Sequence, residues 1–398
     1  MRALRLAGQD VSLFVRDRAP RSEESVHTPT LPHALLRFKF IAERVGIWRA
    51  NNWHRHRLFE VDSATHGVDI TCKPYFKNAD VVHLHWINQG LFSLRDIERM
   101  LRSGKPIVWT LHDMWPLTGI CHHSRECEGW LSSCGRCPIL YRGTPHDLSW
   151  RCYRRKKTVY GTRPMHFVAC SNWLADIARR APLLNGHVVH SIPNAIDTTF
   201  YRPSDSFEAR KHLGLPQDAI LVLFVAYKAT DPNKGIFYLR GAVRRLISKH
   251  PALRNRLRLI IVGREATVLR DTFAVPAHTY EYVNNEETMR DFYRAATLLA
   301  MPTLQDNLPN TIVEAMSTGT PTVGFRVGGL PQLIAHKENG YLSAYKDETD
   351  FAEGLAYCID QDTLPHLRET CRKHAEAVFS QKAVAEAYMN VYQEAIEH

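Results

Sequence analysis

"ATLLAMPTLQDNLPNTIVEAMSTGTPTVGF" (296–325) reads as one strand–loop–helix–strand step. Residues 296–302 form an apolar run suited to a buried strand, and so do residues 320–325. Between them Pro309 and Asn310 suit a helix start, Ile312, Val313 and Met316 give an apolar face, and Gly319 stops the helix. Two acids stand out. Asp306 sits in the loop before the helix and Glu314 one turn into it, so both face the space before the helix N-terminus. That terminus carries unpaired N–H groups and the positive end of the helix dipole, which attract an anion such as phosphate. An anion site flanked by two carboxylates suits a ligand that bears both phosphates and hydroxyls.

The same grammar runs through the rest of the chain. Apolar runs at 80–87, 106–113, 166–170 and 187–192 read as buried strands, with "LRDIERMLRSG" and "NWLADIARRA" as helices between them. A second series covers 219–227, 257–263, 278–283, 296–302 and 320–325, with "GIFYLRGAVRRLISKH" and "ETMRDFYRAA" among its helices. Such alternation means parallel sheets covered by helices on both faces. The expected fold class is α/β with two doubly wound, Rossmann-like domains, joined near "PNAIDTTFYRPSD" (193–205). Ligands of such folds bind beyond the carboxyl ends of the strands. The start is unusual: "RALRLAGQDVSLFV" reads as the tail of a first helix and a second strand, so the first domain is expected to lack its first strand.

With 398 residues, two domains are the natural expectation, and 44% hydrophobic content supports real cores. No apolar run reaches the ~18 residues of a membrane span, and the N-terminus lacks a signal-peptide pattern, so a cytoplasmic protein is expected. Nine cysteines, an odd number, argue against a secreted disulfide framework. A net charge of +10 points to acidic partners such as nucleotides or an anionic membrane. No nucleic-acid motif accompanies it, so nucleic acid is not expected.

Several segments together resemble the retaining glycosyltransferases of family GT4, which have the GT-B fold. They are "IPNAIDTTFYRP" (192–203), "DPNKGIFYL" (231–239), "LQDNLPNTIVEAMSTGTPTVGFRVGGLPQLI" (304–334) and "NGYL" (339–342). "VVHLHWI" and "WTLHDMWPLTG" (109–119) resemble a branch that makes bacterial surface polysaccharides of the colanic-acid type. The resemblance implies an acceptor-side domain over 1–195, a nucleotide-sugar-binding domain over 196–379 and a last helix, 380–398, packing back on the first. It also implies a central cleft, a UDP- or GDP-sugar donor, and a glycan or lipid-linked acceptor. It further implies that catalysis requires no cofactor.

The family's two-acid motif falls on Asp306 and Glu314, here D-x7-E. The resemblance gives Asp306 and its loop to the donor sugar and phosphates, with Asn307 and Leu308 offering N–H groups, Asn310 opening the helix, and Glu314 holding the ribose. Lys234 matches the lysine that grips the leaving diphosphate. The companion arginine is absent, and Lys228 is the nearest cation. Ala195 stands where the family usually has glycine. His112, at a strand end, matches a histidine that contacts sugar or acceptor, and His83 and His85 share one strand face. Asp360-Gln361-Asp362 lies outside these motifs and reads as accidental. Two rivals stay open: an inactive GT-B protein that binds a nucleotide-sugar or a partner, and an enzyme that isomerises the nucleotide-sugar.

Two features stand apart from this chemistry. Cys121, Cys127, Cys134 and Cys137 lie within one short segment, spaced C-x5-C and C-x2-C. Structural zinc, two disulfides and four reduced thiols all suit that spacing, and His122 or His123 could replace one zinc ligand. Residues 35–57 place Leu35, Phe38, Ile41, Val45 and Trp48 at helical spacing, with Arg37, Lys39, Arg44, Arg49, Arg55 and Arg57 between or after them. This suits the surface of an anionic bilayer, at the inner face of the cytoplasmic membrane, and equally a helix packed on a basic domain. "RCYRRKK" (151–157) would extend the same patch.

Overall fold

The structure is a computed structural model and describes residues 1–17, 25–55 and 57–397. The chain divides into two compact units, residues 1–192 with 385–398, and residues 193–384. No helix among the described residues is long and apolar enough to cross a membrane.

In the first unit, strands β1 (Leu13–Phe14) and β2 (Val26–His27) pair in a small parallel sheet of their own. The main sheet is parallel, in the order β3 (Val82–His85), β4 (Ile107–Leu111), β5 (His166–Ala169) and β6 (Val188–Ser191). β4 and β5 are buried at every residue, which is why they read as unbroken apolar runs rather than as alternating patterns. Helix Leu94–Arg102 begins with a reciprocal capping box between Ser93 and Asp96. The residues of helix Gln381–Glu397 from Ala385 onward belong to this unit. Tyr388 and Tyr392 bond Thr110 of β4 and His83 of β3, at 2.8 and 2.6 Å.

The second unit holds a six-stranded parallel sheet of β7 (Ile220–Lys228), β8 (Leu257–Arg264), β9 (Ala277–Tyr280), β10 (Leu298–Met301), β11 (Thr322–Phe325) and β12 (Gly340–Ser343). Their order in the sheet is β12-β11-β10-β7-β8-β9. The chain therefore runs outward from β7 to β9, returns to the other side of β7 with β10, and runs outward again to β12. This is the doubly wound arrangement, and its strand order reverses between β7 and β10. "NGYL" supplies the sixth strand, which its shortness and central glycine-led start had hidden in the sequence.

Helix His33–Ala50 carries its apolar stripe on the outside. Leu36, Glu43, Arg44 and Ile47 are its buried residues, while Leu35, Phe38, Ile41 and Val45 are exposed. Arg44 is not part of a surface patch. It pairs with Asp62 and donates to the carbonyls of Val61 and Leu58. Lys156 also turns inward and is fully buried, so "RCYRRKK" is not a continuous cationic surface.

Candidate functional site

In the second unit the site is assembled where the strand order reverses. The loop after β7 carries Asp231-Pro232-Asn233-Lys234-Gly235. Asp231 caps its short turn by accepting the Asn233 N–H at 2.9 Å. Gly235 then takes a left-handed conformation, φ 72°, and opens helix Ile236–Lys249. A Cβ there would lie 1.8 Å from the Pro302 carbonyl, so only glycine lets this loop reach the one after β10. The Leu304 N–H donates to the Asn233 carbonyl at 2.8 Å and locks the two loops together. Lys234 and Asp306 consequently meet, Nζ to Oδ2 at 2.7 Å. Gly328 lies against the Asp306 carbonyl in the same way, where a Cβ would approach to 2.0 Å.

Helix Asn310–Ser317 follows directly. Pro309 precedes it without a side-chain cap, so its first N–H groups are not satisfied by a capping side chain. Asn310 accepts from the Asn194 amide at 3.1 Å, which brings the start of the 193–205 segment to the helix N-terminus. Arg372 ties the rest of that segment to the end of this helix, donating to the carbonyls of Thr198 and Tyr201 and to that of Ser317. Glu314 accepts from the Tyr293 hydroxyl at 2.6 Å. Burial pushes the Glu314 carboxyl above its ordinary range, the Tyr293 hydrogen bond opposes this, and the charge of Glu286 adds to it. Tyr293, a tyrosine on a separate helix, carries no local signal in the sequence; Asn194 falls in the quoted 192–203 motif, but its contact with Asn310 is not readable there.

Two expected donors are differently engaged. The Asn307 N–H donates to Asp306 Oδ1 at 3.1 Å, so it first serves to orient that carboxylate rather than to point outward. Leu308 is buried beneath the loop. Lys228 lies at the carboxyl end of β7 and pairs with Glu265 at 2.9 Å, not with Asp306. Beside it Arg264 lies over the exposed rings of Tyr227 and Tyr282, at 4.6 and 5.6 Å.

In the first unit, β3 and β4 end in a histidine cluster. His112 Nε2 and His85 Nδ1 are 3.0 Å apart, and both residues are exposed. His83 is held between the Tyr392 and Thr110 hydroxyls, and burial first, then the charge of His85, hold its pKa well down. His122 bridges two carboxylates, with Nδ1 2.7 Å from Asp113 and Nε2 2.8 Å from Asp62. Both ring nitrogens therefore act as donors to carboxylates, which removes His122 from the set of metal ligands considered above. Asp113 also accepts from the Trp86 indole at 3.1 Å. The four cysteines 121, 127, 134 and 137 are free thiols lining one small cavity.

Residues 1–200 match the family described as Glycosyltransferase Family 4, and residues 219–361 match that described as Glycosyl transferases group 1. The chain belongs to glycosyltransferase family 4. Among its relatives are D-inositol 3-phosphate glycosyltransferases of Acidothermus cellulolyticus, 29% identical over 219 residues, and of Catenulispora acidiphila, 30% identical over 224 residues. These matches cover 52% of this chain and 48% and 51% of the relatives. The chain thus spans about half the length of the curated relatives it matches. Its fold is similar to sucrose-phosphate synthase from Thermosynechococcus elongatus (TM-score 0.65, 17% identity, covering 99% of this chain and 91% of that one). It is also similar to Anabaena Alr3699/HepE in complex with UDP (TM-score 0.57, 17% identity, covering 80% and 79%). Membership and architecture agree: the GT-B glycosyltransferase fold is two Rossmann-like α/β units of this kind.

Proposed function

We propose that this family 4 member is a retaining glycosyltransferase that moves one sugar from a UDP- or GDP-sugar to a glycan or lipid-linked glycan in bacterial surface-polysaccharide synthesis. The observation that carries the reading is the convergence of Lys234, Asp306, the helix start at Asn310 and Glu314 where the strand order reverses. Transfer breaks the bond from the anomeric carbon to the diphosphate and leaves negative charge on that diphosphate. Lys234 and the helix N-terminus stabilise the charge as it develops. Asp306, relieved of Lys234 by the phosphate, is then free to accept from a sugar hydroxyl. Glu314 accepts from the ribose hydroxyls. Attack comes from the face that the leaving group vacates, and the departing diphosphate oxygen takes the acceptor's proton, so no residue serves as nucleophile.

Lys228 supplies a second cation once the diphosphate displaces Glu265, and the Arg264–Tyr282 surface offers stacking faces to the base. His112 meets the sugar or the acceptor. The exposed stripe of Leu35, Phe38, Ile41 and Val45, next to Arg37 and Arg49, seats the chain on the anionic inner face of the cytoplasmic membrane. The HepE neighbour, described in complex with UDP and with UDP-glucose, supports a nucleotide-sugar donor.

The test is calorimetric titration of the purified chain with UDP-, GDP- and ADP-sugars, followed by an assay for free nucleoside diphosphate with and without acceptor. Saturable binding of one class and acceptor-dependent release are expected. Absence of binding by a folded chain refutes the reading. Binding without acceptor-dependent release marks a binding protein or an isomerase instead.

A further inference from the structure

We propose that Cys121, Cys127, Cys134 and Cys137 form a structural zinc site that staples the loop following β4. The four thiols come from one stretch of chain and line a single cavity of about 20 Å3, room for one water-sized occupant. The backbone is bent hard to bring them there. Cys134, Gly135 and Arg136 all have positive φ, at 54°, 100° and 48°, which turns Cys134 and Cys137 toward the same space. Two non-glycine residues in that region cost energy that the surroundings must supply. Glycines allow the close packing: a Cβ on Gly119 would lie 2.2 Å from the Ser149 carbonyl, and one on Gly135 2.4 Å from that of Pro145. The Gly119 N–H donates to Cys134 Sγ at 3.2 Å, which opposes in part the burial that raises this thiol's pKa.

Charge supplies a second, independent argument. Lys156 is fully buried, donates to the carbonyls of Trp115 and Thr118, and lies over the Trp115 ring. Thr118 lines the cysteine cavity. Among the described residues no carboxylate lies within ion-pair distance of this amine, and burial lowers its pKa to about 7; an anionic centre beside it would hold it charged. Zinc with four thiolates carries a net charge of −2, each thiol having released its proton to solvent on binding. Such a centre is the anion that would stabilise the charged form of Lys156.

The sulphurs are not yet gathered at ligating distance. Among the described residues, the group of three or more donor atoms lying within 4.8 Å of one another is His166, His190 and Glu394. Zinc–sulphur bonds of about 2.3 Å require the four sulphurs to close to about 3.8 Å on binding. The consequence is local order. The same loop carries His122, which joins Asp62 to Asp113 beside His112.

The experiment is elemental analysis of the full chain purified without chelator, with the cobalt-substituted protein examined by absorption. About one zinc per chain is expected, together with thiolate-to-cobalt charge transfer and intense tetrahedral bands. Cys134→Ser/Cys137→Ser should bring the zinc near zero, while His190→Ala leaves it unchanged. The cobalt spectrum is read on the unaltered protein, so it stands even if the double variant fails to fold. A folded, zinc-free wild-type chain overturns the proposal. So does a denatured, unreduced chain with fewer than nine titratable thiols, or zinc that survives the cysteine changes and leaves with His190→Ala.

Discussion

Replacing Glu314 with alanine separates its two roles, in the fold and at the ligand. Its carboxylate accepts one hydrogen bond at 2.6 Å from the fully buried Tyr293 hydroxyl, and no other side-chain hydrogen bond to it is present among the described residues. A carboxylate can accept about four, so capacity remains for two ribose hydroxyls. Hydrogen bonds to a charged acceptor contribute ~1.5–3 kcal/mol each, and water recovers part of that when the acceptor is removed. The expected loss is about 3 kcal/mol, roughly a hundredfold in Kd by calorimetry. The same substitution strands the Tyr293 hydroxyl in the core, at a cost to stability of about 1–3 kcal/mol. Adding Tyr293→Phe removes the stranded hydroxyl, so the double variant should regain stability in a thermal melt without regaining affinity. Unchanged affinity in Glu314→Ala refutes the ribose assignment. Affinity that returns with Tyr293→Phe refutes it differently, because packing rather than the carboxylate would then have governed binding.

Lys234→Ala should lower kcat by roughly 10²–10³ while shifting the melting temperature little, since the lysine is partly exposed and its ion pair with Asp306 contributes little to folding. Wild-type turnover removes it from the site. His187 accepts the Met165 N–H at Nδ1, 3.0 Å, and burial lowers its pKa to about 4, so the folded state holds it neutral and the unfolded state binds its proton more readily. Its contribution is present above the unfolded value of about 6.5 and lost as pH falls through about 4, amounting to roughly 2 kcal/mol after allowance for partial solvation. His187→Asn keeps an acceptor without a titration, so its denaturation midpoint should fall less over that window than the wild type's; parallel curves count against the assignment. Phe38→Ser/Ile41→Ser should weaken co-sedimentation with phosphatidylserine vesicles about 10–100-fold, from the apolar area withheld from the bilayer. Equal sedimentation places the membrane contact elsewhere.

Strand–helix alternation determined the fold class, because parallel strands buried on both faces must be written as unbroken apolar runs and their crossovers as amphipathic helices. The helix between Pro309 and Gly319 was equally legible, since its start and stop are local chemistry. The pairing of Lys234 with Asp306 was not: it depends on β10 returning beside β7 and on a glycine that lets two loops touch, both properties of topology. Tyr293 beneath Glu314 and Asn194 at the helix start lie far away in sequence and meet the site only through packing. The sequence also left open which face of helix His33–Ala50 is buried. Its apolar residues give a stripe, but spacing does not say which side meets the sheet, and the Glu43–Arg44–Asp62 cluster took the interior. Residue types and spacing thus determined the fold class and the identity of the charged candidates. Only the tertiary structure decided which of them meet, because contact is set by strand order and close backbone approach, and neither has a local signature.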